Sequence, residues 1–489
     1  MSDRVPAVLV VGDAMLDRRV EGQARRISPE APCPIVAQTA FSEVPGGAGN
    51  VAMNLAALGV PVYFISAGGD KDPAWHAIGI ALSAAGVTAD LTAVPGARTH
   101  TKTRITCDGR QIARVDDEQV PLSCDNMVLR ALEHIGESSA AIPHEIKLIV
   151  VADYSKGLMT DGVIRYVLDM STARRIPVYV DAKPARIRSY AGASLLKPNL
   201  AEAMRVVEED GQARPAFALP AEEQRDDKAA YCAAYLRQKY GFGMVVVTCG
   251  ADGAVFTDPA RPGITLRLPG HKCECYDVTG AGDTFMASMA AACLEGRELR
   301  DAVYRANVAA GLAVQKSGVV AITRAELELE LYRAAGWRGK IMIPPAAMAF
   351  AERVQTGGKS VVLASGSFDY LHAGHIEMLR FAKQQGDYLF VAYSDDLSLR
   401  ALKGASRPIV DDDCRASHLA LLEPVDVVFR FAGDAEALVR QIRPNVLVRD
   451  QGSADAGPIP GADFVCSCGG RLAIAPATLR NVDAVRATV

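Results

Sequence analysis

Three things are scarce in this sequence: an excess of one charge, a long apolar run, and cysteines at metal-binding spacing. With 53 basic and 57 acidic residues the net charge is only −4, which argues against a nucleic-acid coat or a membrane-surface role for the whole chain. No apolar stretch reaches the length needed to cross a bilayer. The opening Met1–Arg4 runs straight into the apolar Ala7–Val11 with no separate leader core or cleavage site, so a cytoplasmic protein is expected. The cysteines include Cys273-Glu274-Cys275 and Cys466-Ser467-Cys468, but a CxC pair without a second metal-spaced pair is a weak zinc signal. Their odd number, eleven, fits reduced thiols better than a disulfide framework. No internal repeat is evident. What is present is an ordinary globular composition, 49% apolar and 22% charged, over 489 residues, enough for two or three domains.

The pattern along the chain is α/β. Apolar runs at Val8–Val11, Tyr63–Ile65, Ile149–Val151, Val178–Val180, Leu195–Leu196 and Met244–Val247 read as strands. Amphipathic segments such as Asp227–Tyr240 separate most of them, which predicts a parallel sheet with helices on both faces. Arg19–Ala37 and Thr99–Val115 break that rhythm by alternating polar and apolar residues. They suit a small exposed sheet, either a lid that excludes water or a pair of plain edge hairpins. Gly336, Pro344-Pro345 and Gly357-Gly358 mark a linker at 335–358. It divides a domain of residues 1–334 from a smaller α/β domain of residues 359–489, whose expected elements are the Ser360–Ala364 strand, His375–Gln385 helix, Tyr388–Tyr393 strand, Ala416–Leu422 helix and Val427–Phe429 strand.

Two segments carry phosphate chemistry. In Asp277-Val278-Thr279-Gly280-Ala281-Gly282-Asp283-Thr284, the glycines let successive N–H groups converge on an anion, and a helix starting there adds a favourable field. Asp283 is then placed as general base for an acceptor hydroxyl. Alone, a GxGD could be only a loop-to-helix turn. Companions follow in order. Asn199 and Glu202 share a helical face after Leu195–Leu196 and can order magnesium through waters, or simply cap a helix. Thr248, Gly250 and Gly253 follow a strand and allow close backbone approach to a nucleotide. Gly46, Gly47 and Asn50, in Gly46-Gly47-Ala48-Gly49-Asn50, offer small residues and a polar hook for a sugar.

These four motifs, in this order and spacing, resemble the ribokinase-type (PfkB) sugar kinases over residues 1 to about 325. The resemblance implies Asp283 as base, Gly280, Ala281 and Gly282 as anion hole, and Asn199 and Glu202 for Mg2+ and phosphate. It also implies Asn307 in the adenine-pocket helix, and Asp13, Asp17, Gly46, Gly47 and Asn50 at the acceptor sugar. Val10–Asp17, Arg26–Pro32 and Asp153-Tyr154-Ser155-Lys156-Gly157 resemble the heptose-7-phosphate kinase branch. A substrate that already carries phosphate needs cations, and Lys102, Arg104, Arg114, Lys156 and Lys183 are the candidates. Each could singly be a solvated surface charge.

The second segment is Gly366-Ser367-Phe368-Asp369-Tyr370-Leu371-His372-Ala373-Gly374-His375. Two histidines three apart can both face one phosphate, where imidazolium donors would stabilise charge as pyrophosphate leaves. A metal held by these two alone lacks a third ligand. The segment resembles the GxFDxxHxGH signature of cytidylyltransferase-like nucleotidyltransferases. The resemblance implies a Rossmann-like domain with His372 and His375 as catalytic residues and Phe368 and Lys403 at the nucleotide. Leu402-Lys403-Gly404 and Ser406-Arg407-Pro408, followed by Arg415, are similar to its phosphate-binding segment. Downstream the chain departs from the pattern, with Val448–Gly452 in place of a glycine-glycine-aspartate stretch and Pro476–Asn481 in place of a Ser/Thr-rich turn. In the latter, Thr478 is the hydroxyl donor and Arg480 the cation.

Together the two halves resemble fused heptose-7-phosphate kinase/heptose-1-phosphate adenylyltransferases. The resemblance implies two ATP-dependent steps toward ADP-heptose for the lipopolysaccharide core, with ATP and Mg2+ as cofactors and a small sugar phosphate as partner. By analogy with folds that pair through their lids, a homodimer is expected. Two rivals stand beside this reading: a kinase of another phosphosugar with a non-catalytic second domain, and a sugar-phosphate sensor.

Overall fold

The computed structural model describes residues 5–107, 110–118, 124–137, 144–211, 225–261, 263–334, 336–404, 406–455 and 457–476. The chain forms two compact units that divide between Glu330 and Leu331.

The first unit is built on β1 (Pro6–Gly12), β2 (Ala14–Ile27), β3 (Pro34–Gly47), β4 (Val62–Gly69), β5 (Thr88–Val94), β6 (Thr101–Cys107), β7 (Arg110–Asp117), β8 (Glu145–Asp153), β9 (Val178–Ala182), β10 (Leu195–Leu196), β11 (Met244–Thr248), β12 (Ala254–Thr257) and β13 (Thr265–Leu268). Nine of them make one sheet in the order β13-β12-β11-β10-β9-β8-β1-β4-β5, parallel except at β12 and β13. Val8–Val11 and Leu148–Val151 are 0–2% exposed, as continuous apolar strands covered on both faces must be. Strand order reverses between β1 and β8, so their C-terminal ends open a crevice of the kind where α/β sheets bind ligands. Asp13 and Tyr154 follow those two ends.

The alternating segments form a separate four-stranded sheet, β3-β2-β6-β7. Its outer strand β7 is exposed along its whole length. β2 continues almost directly from β1, so residues of this small sheet are carried to the crevice mouth. The Ala281–Leu294 helix, rich in alanine and methionine, is buried from Asp283 to Ala292 and packs against the Ala48–Ala57 helix.

The second unit is a parallel six-stranded sheet in the order β14-β17-β16-β15-β18-β19, with β14 (Ile341–Met342), β15 (Val361–Gly366), β16 (Tyr388–Ser394), β17 (Val427–Phe431), β18 (Val446–Asp450) and β19 (Arg471–Ala475). Residues 335–358, expected as a linker, instead carry β14 and the Pro344–Thr356 helix, which buries Ala347, Phe350, Ala351 and Val354 in this unit's core. The prolines and glycines that suggest a linker are the start and stop of that helix: Pro344 and Pro345 open it and Gly357 is its C-cap. Among the described residues, no helix is long and apolar enough to cross a membrane.

Candidate functional site

Gly280 caps the Ala281–Leu294 helix in a left-handed conformation, φ 77°, that a side chain would strain. Ala281 is half-buried and Gly282 exposed, while Asp283 one residue on is only 6% exposed. The exposed Gly282 is thus followed directly by a buried carboxylate, and Ala281 N donates to Val278 O at 3.4 Å. Asp283 takes hydrogen bonds from neutral groups: Tyr154 Oη donates to Oδ1, and Asn50 Nδ2 donates to Oδ2 at 3.0 Å. Asn50 is itself fixed by Asn54, whose Nδ2 donates to Asn50 Oδ1 at 2.8 Å, and Asn54 Oδ1 accepts from Ile322 N. Burial pushes the Asp283 carboxyl up to about 6, against the lowering pull of Tyr154 and Asn50. That value suits a base working near neutral pH.

Asn50, expected at the sugar, therefore reaches the carboxylate of Asp283. Gly47, φ 58°, lies against the strand-end backbone: a Cβ there would stand 2.7 Å from Asp13 O and 3.4 Å from the Tyr154 ring. Asp13, expected at the sugar, has both oxygens committed to backbone, accepting from Tyr154 N, Lys156 N and Leu158 N at 2.9–3.1 Å. Buried carboxylates need such donors, and Asp13 shapes the loop that delivers Tyr154 and Lys156.

Asp17, Lys102, Arg104 and Lys156 come together at the small sheet. Arg104 pairs with Asp17, Lys102 is opposite Asp17 in register, and a Cβ on Gly46 would collide with the Asp17 carboxylate. Lys156 Nζ meets Glu118 at 2.5 Å. Arg114 lies opposite Arg104, but it is half-exposed and paired with Asp116 at 2.8 Å. Lys183 is not in this group: its Nζ meets Glu202 Oε1 at 2.8 Å and sits 5.2 Å from the Tyr154 ring centroid.

Asn199 and Glu202 form a reciprocal capping box, Asn199 Oδ1 accepting from Glu202 N at 2.8 Å and Glu202 Oε2 from Asn199 N at 3.0 Å. The other Glu202 oxygen accepts from Lys183 Nζ, and no cluster of three metal-ligating side chains occurs among the described residues. Asn199 bridges to Thr248 of β11, which places the NxxE and TxGxxG turns side by side. Gly250 is left-handed, φ 64°, with open space beside it. A side chain on Gly253 would strike the backbone of Leu268 and Gly270, so this glycine serves strand packing. Asn307 donates to Pro269 O at 2.7 Å.

Sequence reasoning passes over Lys197. It is 3% exposed, pairs with Asp181 at 2.8 Å, and its Nζ would lie 3.5 Å from a Cβ on Gly282, in the 280–282 turn. A lysine closing a two-residue strand gives little signal; its place after Leu195-Leu196 and two residues before Asn199 is the only one.

In the second unit, Gly366 ends β15 and Ser367–His375 follow it, next to the β15–β18 strand-order reversal. The His372 and His375 rings stack with centroids 3.8 Å apart, and Phe368, buried at φ 44°, lies 5.2 Å from His375. Both Nδ1 atoms are buried without a hydrogen-bond partner. Burial, then the neighbouring His372, pushes His375 down to about 4. The expected imidazolium is therefore a neutral ring at pH 7 in the free protein, because two stacked rings in an apolar setting cannot both carry charge. Lys403 Nζ donates to Ser367 Oγ at 2.9 Å. Arg415, placed by the sequence in a phosphate-binding segment, is fully buried: it donates to Ser367 O and Ser394 O at 2.7 Å and pairs with Asp396 and Asp412. Asp369 holds the 407–410 loop through Arg407 at 2.6 Å and Ile409 N at 2.7 Å. Arg449 of β18 donates to Ser365 O. Thr478 and Arg480 lie outside the described residues.

Residues 6–325 match the pfkB family of carbohydrate kinases and residues 363–456 match the cytidylyltransferase-like family. The bifunctional protein HldE of Pseudomonas paraeruginosa is 38% identical over 96% of this chain and 94% of its own length, and that of Azorhizobium caulinodans is 37% identical over the same shares. Of solved structures, phosphofructokinase-2 from Escherichia coli in complex with potassium superposes with a TM-score of 0.54 at 19% identity, covering 68% of this chain and 99% of that one. Ribokinase of Arabidopsis thaliana, complexed with ribose and ATP, gives 0.50 at 22% identity, covering 67% and 99%; both likenesses speak for the fold. The chain belongs to the pfkB family of carbohydrate kinases and, across nearly its whole length, to the bifunctional HldE proteins, in which a carbohydrate kinase is joined to a nucleotidyltransferase.

Proposed function

We propose that the first unit transfers the γ-phosphoryl group of ATP to the anomeric hydroxyl of heptose 7-phosphate, and that the second joins heptose 1-phosphate to AMP, giving ADP-heptose and pyrophosphate. The observation that carries the first step is the carboxylate of Asp283, held by two neutral donors directly behind the Gly280–Gly282 turn. Asp283 takes the proton of the acceptor hydroxyl as that oxygen bonds to the γ-phosphorus, and the bond to the β-phosphate oxygen breaks. The amides of Gly280, Ala281 and Gly282 receive the transferring group at a helix N-terminus, with Lys197 alongside. Asp17, Lys102, Arg104 and Lys156 supply the polar and cationic surface for a sugar that already bears phosphate; Arg114 stands further out on the same sheet. Lys183 works at the ATP end, next to Glu202. Asn199 and Glu202 would hold Mg2+ through water, where the ion neutralises triphosphate charge. Thr248 and Gly250 border the nucleotide.

In the second unit a sugar-phosphate oxygen attacks the α-phosphorus and the bond to the β-phosphate breaks. Neutral His372 and His375 each donate one ring N–H to the phosphates, and Lys403 adds the positive charge. The unpartnered ring nitrogens favour this over a packing role, since buried polar atoms without partners are uncommon. Ile27 and Phe41 are 63% and 52% exposed on the small sheet, which supports pairing of two copies through it.

The test is turnover of a panel of phosphorylated sugars with ATP, the new phosphate located by NMR. Heptose 7-phosphate is expected to gain phosphate at the anomeric carbon; no turnover of it alongside turnover of another phosphosugar sinks the substrate assignment. Pyrophosphate release from heptose 1-phosphate and ATP is expected in the full chain, and its absence would sink the second activity.

A further inference from the structure

The small sheet and the anion turn are joined by one long-range ion pair. Arg19 of β2 places Nη1 3.3 Å from Asp277 Oδ2, and its side chain is only 11% exposed. Its Nε lies 2.7 Å from Glu21 Oε1. Asp277 shapes the turn ahead of the helix: Oδ1 accepts from Thr279 N at 3.0 Å and from Thr279 Oγ1 at 2.7 Å, and Oδ2 also accepts from Gly318 N at 3.0 Å. Gly280 follows at φ 77°, and the anion turn begins there. On the same strand, two residues before Arg19 and so on the same face, Asp17 binds Arg104.

We infer that Arg19 is a positioning residue that ties the sugar-side sheet to the anion turn, so that sugar phosphate and ATP bind with mutual reinforcement. This rests on the kinase reading above. Asp17 and Arg19 sit two positions apart on one strand, so a ligand that orders Asp17 and Arg104 also fixes the guanidinium that holds Asp277. Despite burial, which works the other way, Thr279, the Gly318 amide and Arg19 keep the Asp277 carboxyl below the usual carboxylate range. The ion pair is thus present throughout the working pH. A ligand bound at either end then restricts the same loop, and the second ligand meets a turn already set.

The experiment is equilibrium binding of a non-hydrolysable ATP analogue to the full chain, with and without saturating heptose 7-phosphate, in wild type, Arg19→Ala and Arg19→Lys. Wild type is expected to bind the analogue about fivefold or more tightly when the sugar phosphate is present, with the same factor in the reverse order. Arg19→Ala loses that factor and lowers kcat by about 10²-fold, Arg19→Lys keeps part of both, and free guanidinium restores part of kcat to Arg19→Ala. In Arg19→Ala, Asp277→Asn costs little further kcat. Wild type without mutual reinforcement, or Arg19→Ala retaining it, overturns the inference. So does a loss of kcat that guanidinium leaves untouched while the unfolding temperature falls. Binding reads the coupling without turnover, so its failure is distinct from failure of the kinase reading, which wild-type turnover with heptose 7-phosphate tests.

Discussion

The Tyr154 hydroxyl donates a hydrogen bond to Asp283 inside the first unit, and the backbone N–H of the same tyrosine donates to Asp13 at 2.9 Å. One residue thereby connects the end of β1, the end of β8 and the proposed base. Its side chain is half-buried, and its pKa is raised well above the ordinary value, by desolvation and then by the charge of Asp283. It stays a donor at any working pH.

Tyr154→Phe removes a donor that favours the ionised carboxylate. Asp283 is already raised to about 6 by burial, with Asp181 adding to the rise and Lys197 opposing it. Loss of the phenol raises it further, so the protonated, inactive form persists to higher pH. The acid limb of kinase kcat/KM is expected near pH 6 in wild type and about one unit higher in the variant. An unmoved limb would remove Tyr154 from the base's environment.

Gly280→Ala places a methyl group in a left-handed turn and within 2.7 Å of Asn50 Nδ2. The conformation alone costs about 1–2 kcal/mol, and displacement of Asn50 releases one side of Asp283. Chemical denaturation should report that loss in the first unit, and kinase kcat should fall by about 10²-fold. Wild-type turnover in the variant would argue that the turn does not position the base.

His375→Ala should lower adenylyl transfer by about 10²–10³-fold, the usual effect of removing one donor to a developing charge. The kinase step, housed in the other unit, is expected to be unchanged. Pyrophosphate release and ADP formation, measured on one preparation, check both. Equal losses in the two assays would indicate general misfolding.

Much of this was legible in the sequence because its signals are local. The glycine turn of 280–282 needs only φ freedom and a following helix, and both are written within eight residues. The two-residue alternation of Arg19–Ala37 and Thr99–Val115 becomes the small sheet for the same reason. What stayed hidden depends on partners far along the chain. Asp13 reads as a sugar ligand, and nothing near it in the chain announces the backbone donors of residues 154–158 on its oxygens. Lys183 reads as a phosphate anchor, and its pairing with Glu202 has no local signal in the sequence. Arg415 reads as part of a phosphate-binding segment and is a buried clamp on Ser367, Ser394, Asp396 and Asp412. Pro344-Pro345 and Gly357-Gly358 fit a linker and the caps of a helix equally well, and only the burial of Phe350 between them separates the two.

The most direct measurement is phosphorylation of heptose 7-phosphate by Asp283→Asn, with ATP binding followed in parallel. Asparagine keeps the size and one of the two acceptor oxygens that Tyr154 and Asn50 address, and it cannot accept a proton. Turnover should fall by about 10²–10⁴-fold or more while the affinity for ATP stays within about twofold of wild type. Turnover at the wild-type rate would contradict a carboxylate base behind the anion turn, and with it the proposed phosphoryl transfer.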